Sequence, residues 1–314
     1  MSREALDRVR AEVAKAVVGQ DRAVRALLVS SLVRGHVLLE GVPGVAKTLL
    51  AKAFARSLDL TFRRVQFTPD LMPSDVTGHV VYQAQTGEFR FRAGPVFTNV
   101  FLADEVNRAP PKTQASLLEA MEERQVSVEG ESHRLSDPFL VLATQNPVEY
   151  EGTYPLPEAE LDRFLLKVEI GYPSEEEERA ILRMHNDGRD PHDLEALGVQ
   201  AVAGAEELEA SRREVAGVRV SDEVQGYIVA LSDASRRSPS LSLGVSPRGS
   251  AMLLWVAKAW AWLDGGEFVT PDHIKEVALM VWRHRVILRP EVEIEGGSAD
   301  RVLSGIIERV PVPR

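Results

Sequence analysis

Apolar residues recur along this chain with two periods, and their mixture changes past the middle. In the first part, short apolar runs of strand length alternate with helical patterns. Val37-Leu38-Leu39, between Gly35 and Gly41, reads as a buried strand. Val100–Ala103 and Phe139–Thr144 read the same way, Phe62–Phe67 alternates enough to be another strand, and Lys167–Ile170 is a final one. Between them the spacing turns helical. Leu6, Val9, Val13 and Val17 mark one helix, ended by Val18-Gly19-Gln20, and a second covers about 21–33. After Thr48, the residues Leu49, Leu50, Ala53, Phe54 and Ser57 share a face. Pro110-Pro111 opens a helix that runs to about Glu123, and Leu156–Phe164 holds a short one.

Two stretches read as β-hairpins. In 79–92, HVVYQ and EFRFR flank a turn near Thr86-Gly87, with Phe89 and Phe91 expected as core on one face. The second hairpin, 124–135, turns at Gly130. Ser174 with Glu177 gives a capping-box signal for the next helix. Residues 186–205 are rich in Gly, Asp and Pro, poorly patterned, and expected to hold the flexible part of a domain boundary. Beyond them the pattern is helical. Ser221 caps one helix, Ser246-Pro247 opens another and Thr270-Pro271 a third. Trp255, Ala259 and Trp262 share a face expected to lie in the core. Strands alternating with helices, then helices alone, predict an α/β domain with a parallel sheet and hairpin inserts over 1–185, and a linker with an all-α lid over 186–314.

Composition narrows the class. A chain of 314 residues with 44% hydrophobic content can build about two globular domains. No apolar run approaches membrane-spanning length, and the charged N-terminus has no signal-peptide core, so a cytoplasmic protein without membrane insertion is expected. Cysteine is absent, which excludes disulfide and thiolate chemistry. A net charge of −10 opposes non-specific binding to nucleic acid. The acidic runs Glu175–Glu178 and Glu206–Glu209 read as solvated helix faces.

The chemistry concentrates in His36–Thr48, HVLLEGVPGVAKT. A strand, a loop of Gly41-Val42-Pro43-Gly44-Val45-Ala46-Lys47-Thr48 and a helix beginning near Leu49 form the context of a phosphate-binding loop. Small residues let backbone N–H groups approach a polyphosphate, and the helix N-terminus adds a positive dipole end. Lys47 supplies a charge for the β- and γ-phosphates, and the Thr48 hydroxyl is placed to ligate Mg²⁺. One position departs from G-x-x-x-x-G-K-[ST]. Ala46 replaces the second Gly, which is sterically acceptable at negative φ.

Four further elements point to nucleotide hydrolysis. Asp104-Glu105 end an apolar strand about 55 residues after the loop, where Asp104 can hold Mg²⁺ and Glu105 can polarise water. Asn146 ends the next strand and can position that water. Arg163 is placed to reach a neighbour's γ-phosphate, and Arg248, at a helix start, can sense phosphate from the lid.

The segments GVPGVAKT, FLADEVNRAPPKTQASLLEAMEE, ATQNP, LPEAELDRF, SPRGS and the terminal VPVP resemble the MoxR family of AAA+ ATPases over nearly the whole chain. Ala before the lysine is what this family typically shows. The resemblance implies an ATP- and Mg²⁺-dependent ATPase. It makes Asp104-Glu105 Walker B, Asn146 sensor 1, Arg163 an arginine finger and Arg248 sensor 2, and it puts Gly19-Gln20 near the adenine. It implies a ring, usually of six subunits, that matures or activates client complexes with a von Willebrand factor A-domain protein. Two other readings compete: a chelatase- or helicase-like motor, and a nucleotide-gated binding module with incidental turnover. The acidic balance disfavours a helicase.

Overall fold

The computed structural model describes residues 2–146 and 153–313. Pro147 of the ATQNP segment lies outside the described residues. Helices α1 (Ser2–Ala14) and α2 (Asp21–Leu32) lead into strand β1 (Val37–Glu40). Helix α3 (Lys47–Ser57), strand β2 (Phe62–Gln66) and the short α4 (Pro73–Thr77) follow. Strands β3 (Gly78–Gln83) and β4 (Glu88–Ala93) form the first hairpin. Strand β5 (Val100–Asp104), helix α5 (Pro111–Glu123), the second hairpin β6 (Gln125–Val128) and β7 (Glu131–Arg134), and strand β8 (Leu140–Gln145) come next. The short α6 (Glu158–Leu161), strand β9 (Leu166–Glu169) and α7 (Glu175–Asn186) complete the first part.

Strands β2, β5, β8, β1 and β9 pair in that order in one parallel sheet. Successive residues point to opposite faces. Val37, Leu39, Val100 and Leu102 enter one apolar cluster, while Leu38, Phe101 and Ala103 enter the other. Leu50 and Phe54 of α3 cover the first face, and Leu117, Leu118 and Met121 of α5 the second. Burial on both faces explains why the central strands β5, β8 and β1 read as apolar runs, while the edge strands β2 and β9 carry charged residues. Its parallel strands share one carboxyl edge, where β1, β5 and β8 deliver the loop lysine, the carboxylate pair and Asn146.

The second part consists of α8 (Ala205–Gly217), α9 (Asp222–Arg236), α10 (Pro247–Leu263), α11 (Pro271–Trp282), the short α12 (Pro290–Ile294) and α13 (Ala299–Arg309). Among these helices sits a small antiparallel pair, β10 (Leu241–Leu243) and β11 (Ile287–Leu288), too short to register as a sequence pattern. The predicted caps form. The side chains of Ser174, Ser221, Ser246 and Thr270 each accept a backbone N–H three residues on.

Three local expectations change. Of the expected core face, Ala259 and Trp262 are buried but Trp255 is 52% exposed, and the neighbouring indoles of Trp260 and Trp282 are buried as well. Helical spacing identifies a face but not which turns of it are covered. Phe89 stands open at 74% exposure beside Tyr82, whereas Phe91 stacks on His133 of the second hairpin at 3.9 Å. The hairpins therefore face each other, and their tips at Gly87 and Gly130 stay exposed. The segment between α7 and α8 lacks regular structure but is fastened down. Leu194 and Val199 are buried, Lys15 and Lys52 donate to the carbonyls of Gly198 and His192, and Val202 N–H bonds the Ser57 carbonyl. Helix α8 then packs on α1 and α2.

Candidate active site

The loop between β1 and α3 shapes a cavity of about 480 Å³. Gly44 at φ 86° and Ala46 at φ 61°, ψ 22° turn the backbone through the left-handed region. Ala46 is thus not at the negative φ at which alanine is sterically free. This turn is what lets α3 begin at Lys47. Pro43, Gly44, Ala46, Lys47, Thr48 and Leu49 line the cavity, while Gly41, Val42 and Val45 do not. Gly41 has a separate reason to be glycine, because a Cβ there would meet the Ile170 carbonyl at 2.4 Å. Lys47 Nζ donates to the Gly41 carbonyl at 2.6 Å. Burial pushes the Lys47 ammonium down, and Asp104, Glu105 and Glu40 act against that shift.

Asp104 and Glu105 line the opposite wall. The β5–β8 register pairs Ala103 with Ala143 and so brings Thr144 alongside Asp104. The Thr144 hydroxyl donates to Asp104 Oδ1 at 2.5 Å and accepts the Glu105 N–H at 2.8 Å. Arg64 donates to Asp104 Oδ2 at 2.7 Å, and Gln66 Nε2 donates to Glu105 Oε2 at 2.7 Å. Arg108 Nε lies 3.0 Å from the same Glu105 oxygen. Glu105 is held at φ 54°, ψ 52°, a costly backbone for a non-glycine residue that aims its side chain. Thr144, Arg64, Gln66 and Arg108 were not among the residues singled out from sequence. Thr144 stood inside the ATQNP segment, but its carboxylate partner is forty residues away.

Asn146 is buried and lines the same cavity, beside Thr144. The far end of the cavity is apolar. Val17 and Val18 form one side, Ile181 and Met184 of α7 another, and His192 closes it. Gly19 and Gln20, expected beside the adenine, do not line it. Gly19 instead allows close packing at φ 77°, since a Cβ would meet the Glu177 carboxylate at 2.4 Å. Gln20 is the N-cap residue of α2 and faces a separate small cavity.

Neither Arg163 nor Arg248 lines this cavity. Arg163 Nη1 donates to the Leu118 carbonyl of α5 at 2.8 Å. Arg248 Nη2 lies 3.1 Å from Glu122 Oε2, one turn further along α5, and its Nε 3.6 Å from Asp162 Oδ2. The two arginines therefore sit together on one face of α5. The groups that do meet fit a nucleotide with a hard, hydrated cation: the Lys47 ammonium and the helix N-terminus suit phosphate, and the Thr48 hydroxyl and Asp104 carboxylate suit the cation.

Family models match both parts of the chain. Residues 36–166 match the ATPase family associated with various cellular activities (AAA), and residues 233–306 match the AAA lid domain. Chaperone MoxR1 of Mycobacterium tuberculosis is 42% identical over 98% of this chain and 82% of its own length. The Bacillus subtilis protein YeaC is 48% identical, over 95% of this chain and 92% of its own. The solved structure of a proposed ATPase from Cytophaga hutchinsonii superposes with a TM-score of 0.91 at 41% identity, covering 100% of this chain and 96% of that one. Fold and site thus define an AAA+ nucleotide-binding protein with a helical lid. Within that class, the chain belongs to the MoxR family of AAA+ ATPases.

Proposed function

We propose that this protein hydrolyses ATP between the subunits of a ring and uses the energy to remodel, mature or activate client protein complexes. The observation that carries this reading is a division of charge. Lys47, Thr48, Asp104, Glu105 and Asn146 meet in one cavity, whereas Arg163 and Arg248 lie together outside it. Lys47 and the loop amides bind the phosphates. Thr48 and Asp104 are the residues that would hold Mg²⁺, which neutralises phosphate charge when bound. Glu105 polarises the attacking water and Asn146 positions it. The apolar far end, with Val17, Val18, Ile181 and Met184, suits a base.

Arg163 and Arg248 then serve a neighbour's cavity. A head-to-tail contact of this kind closes into rings, here proposed to be of six subunits. A client role with a von Willebrand factor A-domain partner is supported by family membership and by the chaperone name of the M. tuberculosis relative. The exposed hairpin tips are the surfaces assigned to the client. Among the described residues no helix is long and apolar enough to cross a membrane.

Complementation tests the shared site. Arg163→Ala should bind ATP nearly as the parent protein does, with turnover lowered on the order of 10³-fold. Lys47→Ala should fail to bind ATP. A mixture of the two should regain turnover, because Lys47→Ala subunits still offer Arg163 to an intact loop. Mixed rings that form but stay inactive would refute the shared site.

A further inference from the structure

Arg285 follows α11 and carries a guanidinium whose side chain is only 1% exposed. Within the lid, Nη1 meets His284 Nε2 at 2.6 Å and Nη2 meets Met252 Sδ at 2.8 Å, but four of its contacts fall on one short stretch of the α/β part. Nε bonds Asp162 Oδ1 at 2.8 Å, Nη2 bonds the Phe164 carbonyl at 2.5 Å and the Asp162 carbonyl at 3.2 Å, and Nη1 bonds the Leu165 carbonyl at 3.2 Å. Nη1 also bonds the Val281 carbonyl of α11, which anchors the group to the lid. Residues 162–165 are the turn between α6 and β9, and Arg163 projects from it.

Arg248 is tied to the same point. Asp162 divides its carboxylate, with Oδ1 on Arg285 and Oδ2 3.6 Å from Arg248 Nε. The first turn of α10 also rests against the Arg285 stem: a Cβ on Gly249 would stand 3.2 Å from Arg285 Cδ. Burying a guanidinium is costly, and its attraction to one carboxylate seldom recovers the cost. Here the rigid fork of donors is spent on fixing backbone carbonyls, a task that a planar guanidinium performs and a flexible ammonium does not. Burial pushes the group down to about 10, so it stays charged at neutral pH.

We propose that Arg285 is the positioning residue for the arginine pair, a buried lid guanidinium that locks the Asp162–Leu165 turn and so sets Arg163 and Arg248 at the spacing a neighbouring subunit's phosphate site requires. The proposal rests on the shared-site reading above. It differs from a purely structural role because it predicts a defect with a direction. A subunit lacking Arg285 should fail as a donor of arginines and still work as a receiver.

The test uses full-length protein and the complementation assay. Arg285→Gln should bind ATP with parental affinity, form rings, and lose turnover about 10²-fold, the scale of a displacement of about 1 Å at a reacting centre. Mixed with Lys47→Ala, which supplies intact donors, it should regain turnover as Arg163→Ala does. The double variant Lys47→Ala/Arg285→Gln should fail to rescue Arg163→Ala. Arg285→Lys keeps the charge with fewer donors, should lose donor function to a smaller extent, and serves if the Gln variant does not fold. Parental turnover in both variants would overturn the proposal. So would a defect that Lys47→Ala cannot rescue, since that marks general damage. If Arg163→Ala itself is not rescued by Lys47→Ala, the shared site has failed, and Arg285 is left without a pair to position.

Discussion

Ala46 stands where a phosphate-binding loop usually carries glycine, yet its backbone adopts the conformation that glycine favours. A left-handed alanine costs roughly 1–2 kcal/mol, and glycine returns part of that gain through its freer unfolded chain. Ala46→Gly should therefore stabilise the nucleotide-free protein by about 0.5–1 kcal/mol in urea unfolding. Ala46→Val, branched at Cβ, should destabilise it by about 1 kcal/mol or more. A Gly variant less stable than the parent would reject the assigned backbone. This position also shows what a sequence conveys at the residue scale. Lys47 and Thr48 were legible because the loop chemistry depends on fixed local offsets. The sign of φ at Ala46 and Glu105 was not, because backbone angles answer to contacts from elsewhere. Arg64, Gln66 and Thr144 stayed hidden for a related reason: each meets its carboxylate only after β2, β5 and β8 have paired.

Elements were more legible than their arrangement. The apolar runs marked the strands, and Ser174, Ser221, Ser246 and Thr270 marked helix starts, because strand burial and capping are local. The order of the strands was not written locally, and His36 shows what holds it. Its ring lies fully buried at the entrance to β1. Nε2 faces the Met121 carbonyl of α5 at 3.2 Å, and Nδ1 accepts the Val141 N–H of β8 at 3.0 Å. The neutral ring with a proton on Nε2 satisfies both contacts, and protonating Nδ1 breaks the second. Burial pushes this histidine from 6.5 down to about 4, with nearby Arg124 acting in the same direction and Glu122 and the Met121 contact against it. The depressed value sets the sign: between about pH 4 and 6.5 the unfolded chain binds the proton and the folded chain does not. The contribution of His36 is then complete above pH 6.5 and falls away as pH drops toward 4, by up to about 3 kcal/mol. His284, also pushed well down by burial, adds in the same direction. In His36→Leu, unfolding free energy should be lower throughout, with a shallower slope across this window. An unchanged slope would show that His36 does not titrate on unfolding.

At the scale of the whole molecule, the question is which subunit Arg248 serves. A lid arginine can close over the cavity of its own chain or be presented to the next. In this structure its guanidinium rests on Glu122 and near Asp162, one turn of α5 away from the Leu118 carbonyl that Arg163 bonds. The cavity with Lys47 is bordered instead by α7 and the fastened segment after it, through Met184 and His192. Under the proposed shared site, Arg248 is then a donor together with Arg163, and each complete site takes two chains. Arg248→Ala should leave ATP affinity near normal and lower turnover about 10- to 100-fold, the range for one charge-assisted contact. Mixing it with Lys47→Ala should restore turnover, because the Lys47→Ala subunit donates both arginines to an intact loop. Were Arg248 to act within its own chain, every intact loop in the mixture would still lack it, and no activity would return. The same arrangement makes turnover per subunit rise with protein concentration until rings are filled, then level off. Activity independent of concentration, in a protein that stays monomeric with ATP, would mean that each chain completes its own site.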